Sequence, residues 1–261
     1  MDRFKPFQSF AVFLTLLLSL TAFSDGQVIV GNSKVTYTYL ETPSGSYVPA
    51  TPLTSADPES SISFAPGAFV ASTSGAGFQS DSYNGVLTLD MDTATGRWFS
   101  GNALSLFLSG SYDLTAPFSA SQAFASFSSS YSIIVDGVDG NPFSSAMPLA
   151  ASINNISPAS VSAVGPGGTS SGNWSGSLAL DINTIKAHFG IGPASNVTGM
   201  RLQLSTRVSA ASIDGMAYAD VLNVNVNNVT VPEPSTYALL ALAASGLGLA
   251  ALRRKKRLSA D

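Results

Sequence analysis

A chain of 261 residues has room for one domain of about 200 residues and a short segment at either end, and only 11% of it is charged, against the usual share of roughly 25%. Between Asp25 and Val231 five basic residues stand against 13 acidic ones, which excludes a nucleic-acid surface built on a basic patch. Cysteine is absent, which excludes thiol nucleophiles, zinc–thiolate sites and disulfides. A domain of this size buries enough core to fold without them.

The first predicted element is a leader. Arg3 and Lys5 precede an apolar run, Phe10 to Leu20, broken only by Thr15 and Ser19. Ala22 and Ser24 then stand at the −3 and −1 positions of a cleavage site before Asp25. Positive, apolar, then small is the order of a secretory signal peptide, which is assigned to residues 1–24.

From residue 25 to 230 the hydrophobic period is two, the period of strands. Lys34 to Leu40 alternates, as do Val86 to Met91 and Ala103 to Leu108. Gln122 to Ser130 puts Phe124, Ser126 and Ser128 on one face and Ala123, Ala125 and Phe127 on the other. Tyr131 to Val135, Ser177 to Ile182, Met200 to Val208 and Ala217 to Val231 continue the pattern. Turn chemistry punctuates it at Ser44-Gly45, Pro66-Gly67, Gly75-Ala76-Gly77, Asn84-Gly85 and Gly165-Pro166-Gly167-Gly168. Pro43 to Pro58 and Ile156 to Gly172 read as long loops. One short helix is expected at Asn183 to Phe189, with Gly190 stopping it. The fold class is therefore all-β: an antiparallel β-sandwich or jelly-roll-like ectodomain over residues 25–230. An N-terminal signal-peptide helix and a C-terminal transmembrane helix are expected to flank it.

The C-terminal segment has three parts. Val231-Pro232-Glu233-Pro234-Ser235-Thr236 comes first. Tyr237 to Leu252 follows, uncharged and almost wholly Ala, Leu and Gly. As a helix those residues span about 24 Å with no polar face, and they read as a membrane span. Arg253-Arg254-Lys255-Lys256-Arg257 then acts as a stop-transfer cluster that stays cytoplasmic. The two prolines remove two backbone donors and fix φ, so the motif stays extended rather than joining the helix.

Motif, span and basic tail, 231–257, resemble the PEP-CTERM sorting signal. The resemblance covers only these residues. It implies recognition of Val231, Pro232, Glu233, Pro234 and Ser235 by exosortase, an integral-membrane transpeptidase-like protease, and loss of helix and tail. It further implies a Gram-negative source and association with exopolysaccharide or biofilm. The other expected partners are the Sec translocon, signal peptidase and, transiently, inner-membrane lipid. The protein is expected at the cell surface or in the extracellular matrix.

Candidate chemistry is sparse. His188 is the only histidine, and a lone histidine on a short helix is a weak basis for a Ser-His-Asp triad. Asp136, Asp139 and Asn141 offer oxygens to a structural Ca²⁺, as do Asp90 and Asp92, yet the twelfth position from Asp136 is Met147 rather than Glu. The other reading of that segment is a β-turn. Glu41 and Glu59 fall in a Pro/Ser/Thr-rich region and make a poor pair for glycoside hydrolysis. Trp98 and Trp174 either stack on sugars or fill the core. Asn173, Asn196 and Asn228 each open an Asn-x-Ser/Thr sequence. The leading expectation is a non-catalytic surface or matrix protein with no cofactor. The alternatives are a carbohydrate-binding module of jelly-roll type and, behind it, a secreted glycoside hydrolase.

Overall fold

In the computed structural model the described residues are 27–31, 34–40, 48–49, 59–65, 69–145 and 147–232. The expected signal-peptide helix (1–24) and membrane span (237–252) lie outside them. Among the described residues no helix is long and apolar enough to cross a membrane.

The described chain is almost entirely strand. The order is β1 (Gln27–Gly31), β2 (Val35–Leu40), β3 (Val48–Pro49), β4 (Glu59–Ala65), β5 (Val70–Thr93), β6 (Arg97–Phe99), β7 (Leu104–Ala116) and β8 (Gln122–Val138). Then come β9 (Asn141–Pro142), β10 (Leu149–Ser152), β11 (Ile156–Ser157), β12 (Ser160–Val164) and β13 (Gly168–Leu180). The helix α1 (Ile182–Phe189), β14 (Val197–Asp220) and β15 (Asn223–Pro232) complete it.

All pairings are antiparallel. One layer runs β1-β2-β5-β14-β8, with β9, β10 and β12 sharing the far edge of β8. The other runs β11-β13-β7-β15-β4-β3. The last residues of β14 leave β8 and pair with β7, Met216 to Ala219 against Thr115 to Tyr112, which joins the layers. Rings meet between strands that share no ladder. Tyr39 of β2 lies 5.5 Å from Phe64 of β4, and Phe127 of β8 lies 4.8 Å from Trp174 of β13. The sheet is thus folded over itself into an antiparallel, jelly-roll-like sandwich with one core.

Alternation explains the core. In β8, Ala123, Ala125, Phe127 and Tyr131 point in while Phe124, Ser126, Ser128 and Ser130 point out, as the sequence pattern requires. Several expected turns are not turns. β5 runs through Gly75-Ala76-Gly77 and Asn84-Gly85 without stopping. Gly85 is there because Phe69 presses on it: a Cβ at that position would overlap the Phe69 ring. Gly75 and Gly77 have positive φ and lie where the β5–β14 register shifts, with Gly77 N donating to Asp214 Oδ1 at 2.6 Å. The loop expected at Ile156 to Gly172 instead contains β11 and β12. Ser160 to Val164 pairs with the edge of β8, and Ala163 is buried beneath it. The loop expected at Pro43 to Pro58 lies outside the described residues except for β3.

The helix keeps its expected place. Asp181 caps it by accepting from Asn183 N at 2.7 Å, and Gly190 closes it at φ 66°. Ile185 is buried, while His188 is exposed with its ring edge on Phe189 at 4.8 Å.

Candidate sorting site at the end of the closing strand

The closing strand alternates inward Val224 and Val226 with outward Asn223, Asn225 and Asn227. The inward row then continues with polar side chains: Asn228 is 0% exposed and Thr230 is 1% exposed. Each is satisfied. Asn228 Oδ1 accepts from the Tyr37 hydroxyl at 3.0 Å, and its Nδ2 donates to the Ala103 carbonyl at 2.8 Å. Thr230 Oγ1 accepts from Arg97 Nε at 3.3 Å. Burial lifts the Tyr37 phenol well above its ordinary value, so it stays a neutral donor. Asn228 opens an Asn-x-Thr sequence, and its burial removes it as a glycan acceptor. Asn173 is exposed and Asn196 half-buried.

The ladder with β4 ends at Val229. Beyond it the one neighbour of β15 among the described residues is β6, through Thr230↔Phe99, Val231↔Trp98 and Pro232↔Arg97. The first two residues of the proline-bearing segment are therefore strand residues of the sandwich, both half-buried. Proline sits where it does least harm, at the strand's last residue with no further donor required. The extended conformation expected for this segment holds as far as Pro232. Glu233, Pro234, Ser235 and the cluster Arg253 to Arg257 lie outside the described residues.

Beside β6 is a cavity of about 580 Å³ whose wall includes Asp92, Thr93, Arg97, Asp136 and Asp139. Asp92 of β5 and Asp136 of β8 lean over Gly199 of β14, and a Cβ there would crowd a carboxylate oxygen of each. Burial, then the Asp90 charge, raises the Asp92 carboxyl above its ordinary value. Burial, then Asp92 and Asp90, raises Asp136 against the pull of Arg201. Arg201 itself forks onto Asp90, with Nη2 to Oδ2 at 3.0 Å.

A folded carboxyl held above its ordinary value keeps its proton where the unfolded one has lost it. Stability therefore falls as pH rises from about 3.9 through the raised value, and the full penalty stands at neutrality. Asp136→Asn is expected to raise the melting temperature by a few degrees at pH 7 and to leave it unchanged at pH 3. Equal shifts at both pH values in a thermal melt would contradict this.

The expected calcium ligands Asp136, Asp139 and Asn141 line this cavity together with Asp92. Asp139 (φ 51°) and Gly140 (φ 74°) form a two-residue hairpin turn between β8 and β9. Asp139 Oδ1 accepts from Asn196 N at 2.7 Å, and Asn141 Nδ2 donates to the Asp139 carbonyl at 3.1 Å. Among the described residues no three acidic or histidine side chains come together to hold a metal ion. The two tryptophans part company. Trp174 is 1% exposed, stacked on Phe127 and donating from Nε1 to the Asp220 carbonyl at 2.8 Å. It fills the core and presents no face to a sugar, which corrects the sugar-stacking expectation for that residue. Trp98 is half-buried on β6, opposite Val231.

Residues 230–256 match the family model of the PEP-CTERM protein-sorting motif. None of the curated proteins compared with the chain matches it. Similar solved structures include the family 11 xylanase from Neocallimastix patriciarum, at 12% identity over 77% of this chain and 94% of that one, with a TM-score of 0.20. A carbohydrate-binding module specific for non-crystalline cellulose, CBM28, shares 9% identity over 82% of this chain and 99% of its own, at a TM-score of 0.23. The xylan-binding domain CBM22-1 of Paenibacillus barcinonensis Xyn10C shares 16% over 60% and 85%, at 0.18. Scores at this level carry no inference from those proteins to this one.

Proposed function

We propose that this chain, which carries a PEP-CTERM sorting motif over residues 230–256, is an exported, non-catalytic surface or matrix protein processed by exosortase between Val231 and Ser235. The match to the sorting motif is the observation that carries the reading. The Sec translocon takes the leader through the inner membrane, and signal peptidase cuts it after Ser24. The apolar run from Tyr237 then holds the sandwich at the outer side of a Gram-negative inner membrane until the cut frees it into an exopolysaccharide matrix.

The closing strand supports this order of events. β15 ends at Pro232, and four residues, Glu233 to Thr236, separate it from the apolar run. Fully extended, the five steps from Pro232 to Tyr237 reach at most about 18 Å. The β6 end of the sandwich therefore sits within that distance of the bilayer before processing. A protease cleft takes an extended backbone. Residues 230–232 already have that shape and, among the described residues, pair only with β6. Detaching three residues paired on one edge is a local opening that leaves the core intact. Glu233 is the only charge between Asp220 and Arg253 and marks the segment for recognition.

The test is intact-mass analysis of the exported protein in a host carrying exosortase. Both ends are expected to be lost, and Pro232→Ala is expected to abolish the C-terminal loss while leaving the signal-peptide cut. An unprocessed tail on the parent chain in that host overturns the reading.

A further inference from the structure

The outer face of the β5-β14-β8 layer has an unusual composition. Rows of residues run across the strands, and the register fixes them. Ser82, Ser209, Ser126 and Ser160 form one line over four strands. Two rungs along, Ser205, Ser130 and Ser152 form another. Between and beyond them stand Ser128, Ser162 and Ser80. Among the described residues Arg207 is the one charge on this face from the row of Ser80 to the row of Val86, Asp81 alternating to the other face of β5. Three acidic residues of this outer face, Asp90, Asp92 and Asp136, gather at its other end.

Two open depressions lie on this face along β8. One, of about 480 Å³, is lined by Phe124, Ser126, Ser160, Ser162 and Ser209. The other, of about 350 Å³, is lined by Ser130, Ser132, Ser152, Gln203 and Ser205. Phe124 is 40% exposed beside the first, a large aromatic left on the surface of a sheet whose inward row is well filled.

We propose that this serine-lined face binds a neutral polysaccharide chain, with Phe124 as the stacking platform. A charged partner gains nothing from a face with one charge. Nucleic acid in particular finds a single arginine on an acidic domain. An apolar partner leaves a row of hydroxyls without hydrogen bonds. A second copy of the chain brings mostly serine against serine, with one aromatic, Phe124, and one arginine, Arg207, on each copy, fewer anchors than stable interfaces carry. A neutral sugar chain answers every feature. Its hydroxyls donate and accept, as serine does. Its C–H faces settle on an aromatic ring, whose face carries the negative side of the quadrupole. The serine rows repeat at the strand spacing of about 4.8 Å, close to the length of one pyranose ring. This places binding on the face of β8 opposite Trp174, which lies in the core against Phe127, and on a different element from Trp98.

The inference is independent of processing, because the face belongs to the unprocessed chain. The experiment is affinity electrophoresis of the full chain in nonionic detergent, through gels containing hydroxyethylcellulose, galactomannan or the polyanion alginate. Retardation is expected in at least one neutral gel and not in alginate. Phe124→Ala and Ser209→Asp are each expected to weaken it about three- to tenfold, with thermal melts showing both variants folded. Trp98→Ala is expected to leave it unchanged. No retardation in either neutral gel overturns the proposal. So does retardation that survives both groove substitutions, that is lost with Trp98→Ala, or that appears only in alginate.

Discussion

Trp174→Ala is expected to lower the unfolding free energy by about 4 kcal/mol, the range for deleting a buried tryptophan, which is a large part of the stability of any single domain. Three losses add. The indole leaves a cavity in a core position that is 1% exposed. Its stack on Phe127, at 4.8 Å and an interplanar angle of 17°, disappears, a contact worth about 0.5–1.5 kcal/mol beyond the area buried. The Asp220 carbonyl loses its donor. That carbonyl belongs to a crowded corner where Asp220 Oδ1 accepts from Ser111 N at 2.6 Å and from its hydroxyl at 3.0 Å, and Oδ2 from the Tyr218 hydroxyl at 2.8 Å. The corner ties β7, β13 and the end of β14 together where the two layers join. Trp98→Ala removes a half-exposed ring from a three-residue strand and is expected to cost about 1 kcal/mol or less. Urea unfolding followed by circular dichroism separates the two. Equal losses would mean that Trp174 does not sit in the core described.

The two tryptophans also show how far the residues alone reach. Period-two alternation places Ala123, Ala125 and Phe127 correctly on the inner face of β8, because a strand with one buried side has no other register available. It does not say whether Asn173-Trp174-Ser175 points its tryptophan in or out. Serine and asparagine flank it on both sides, and inward direction is set by the pairing of β13 with β7 across the whole of Gly168 to Leu180. Glycine misled for a related reason. Gly85 reads as a turn beside Asn84 but serves as a space for the Phe69 ring, a contact made by a residue 16 positions earlier. The strands at Ser160 to Val164 were hidden by composition, since a Ser-rich edge strand carries little apolar signal. The sorting motif was legible because it is local: residue types in order along one segment, with no tertiary contact required. The serine face was not, because its rows exist only once β5, β14, β8 and β12 are in register. Its most telling residue, Phe124, falls by alternation on a face with serines, and that odd company is the signal available in the sequence.

Asn228→Ala is expected to cost about 3 kcal/mol, more than its size suggests, because it strands two buried groups. The Tyr37 hydroxyl loses its acceptor and the Ala103 carbonyl its donor, and each unsatisfied buried group costs about 1–3 kcal/mol. No water reaches a side chain that is 0% exposed next to a tyrosine that is also 0% exposed. A cycle with Tyr37→Phe isolates the pair. The double variant no longer buries an orphaned hydroxyl, so its loss is expected to fall short of the sum of the two single losses by about 1 kcal/mol or more. The pH dependence has a definite sign. Burial holds the Tyr37 phenol protonated where the unfolded phenol, near 10, has already ionised. The folded state thus binds the extra proton, and stability falls as pH climbs past about 10. The parent is expected to begin this loss there and Tyr37→Phe to show less of it. Strict additivity in the cycle, or an Asn228→Ala loss under about 0.5 kcal/mol, would contradict the geometry. The consequence reaches the sorting segment. The β7 ladder ends at Asn227 and the β4 ladder at Val229, so Asn228 is the last inward residue of β15 paired with β4 before β6 is its one partner among the described residues, and loosening it lets residues 230–232 leave the sandwich more often. In the exosortase host, Asn228→Ala is therefore expected to be cut faster than the parent while its core remains folded at the growth temperature.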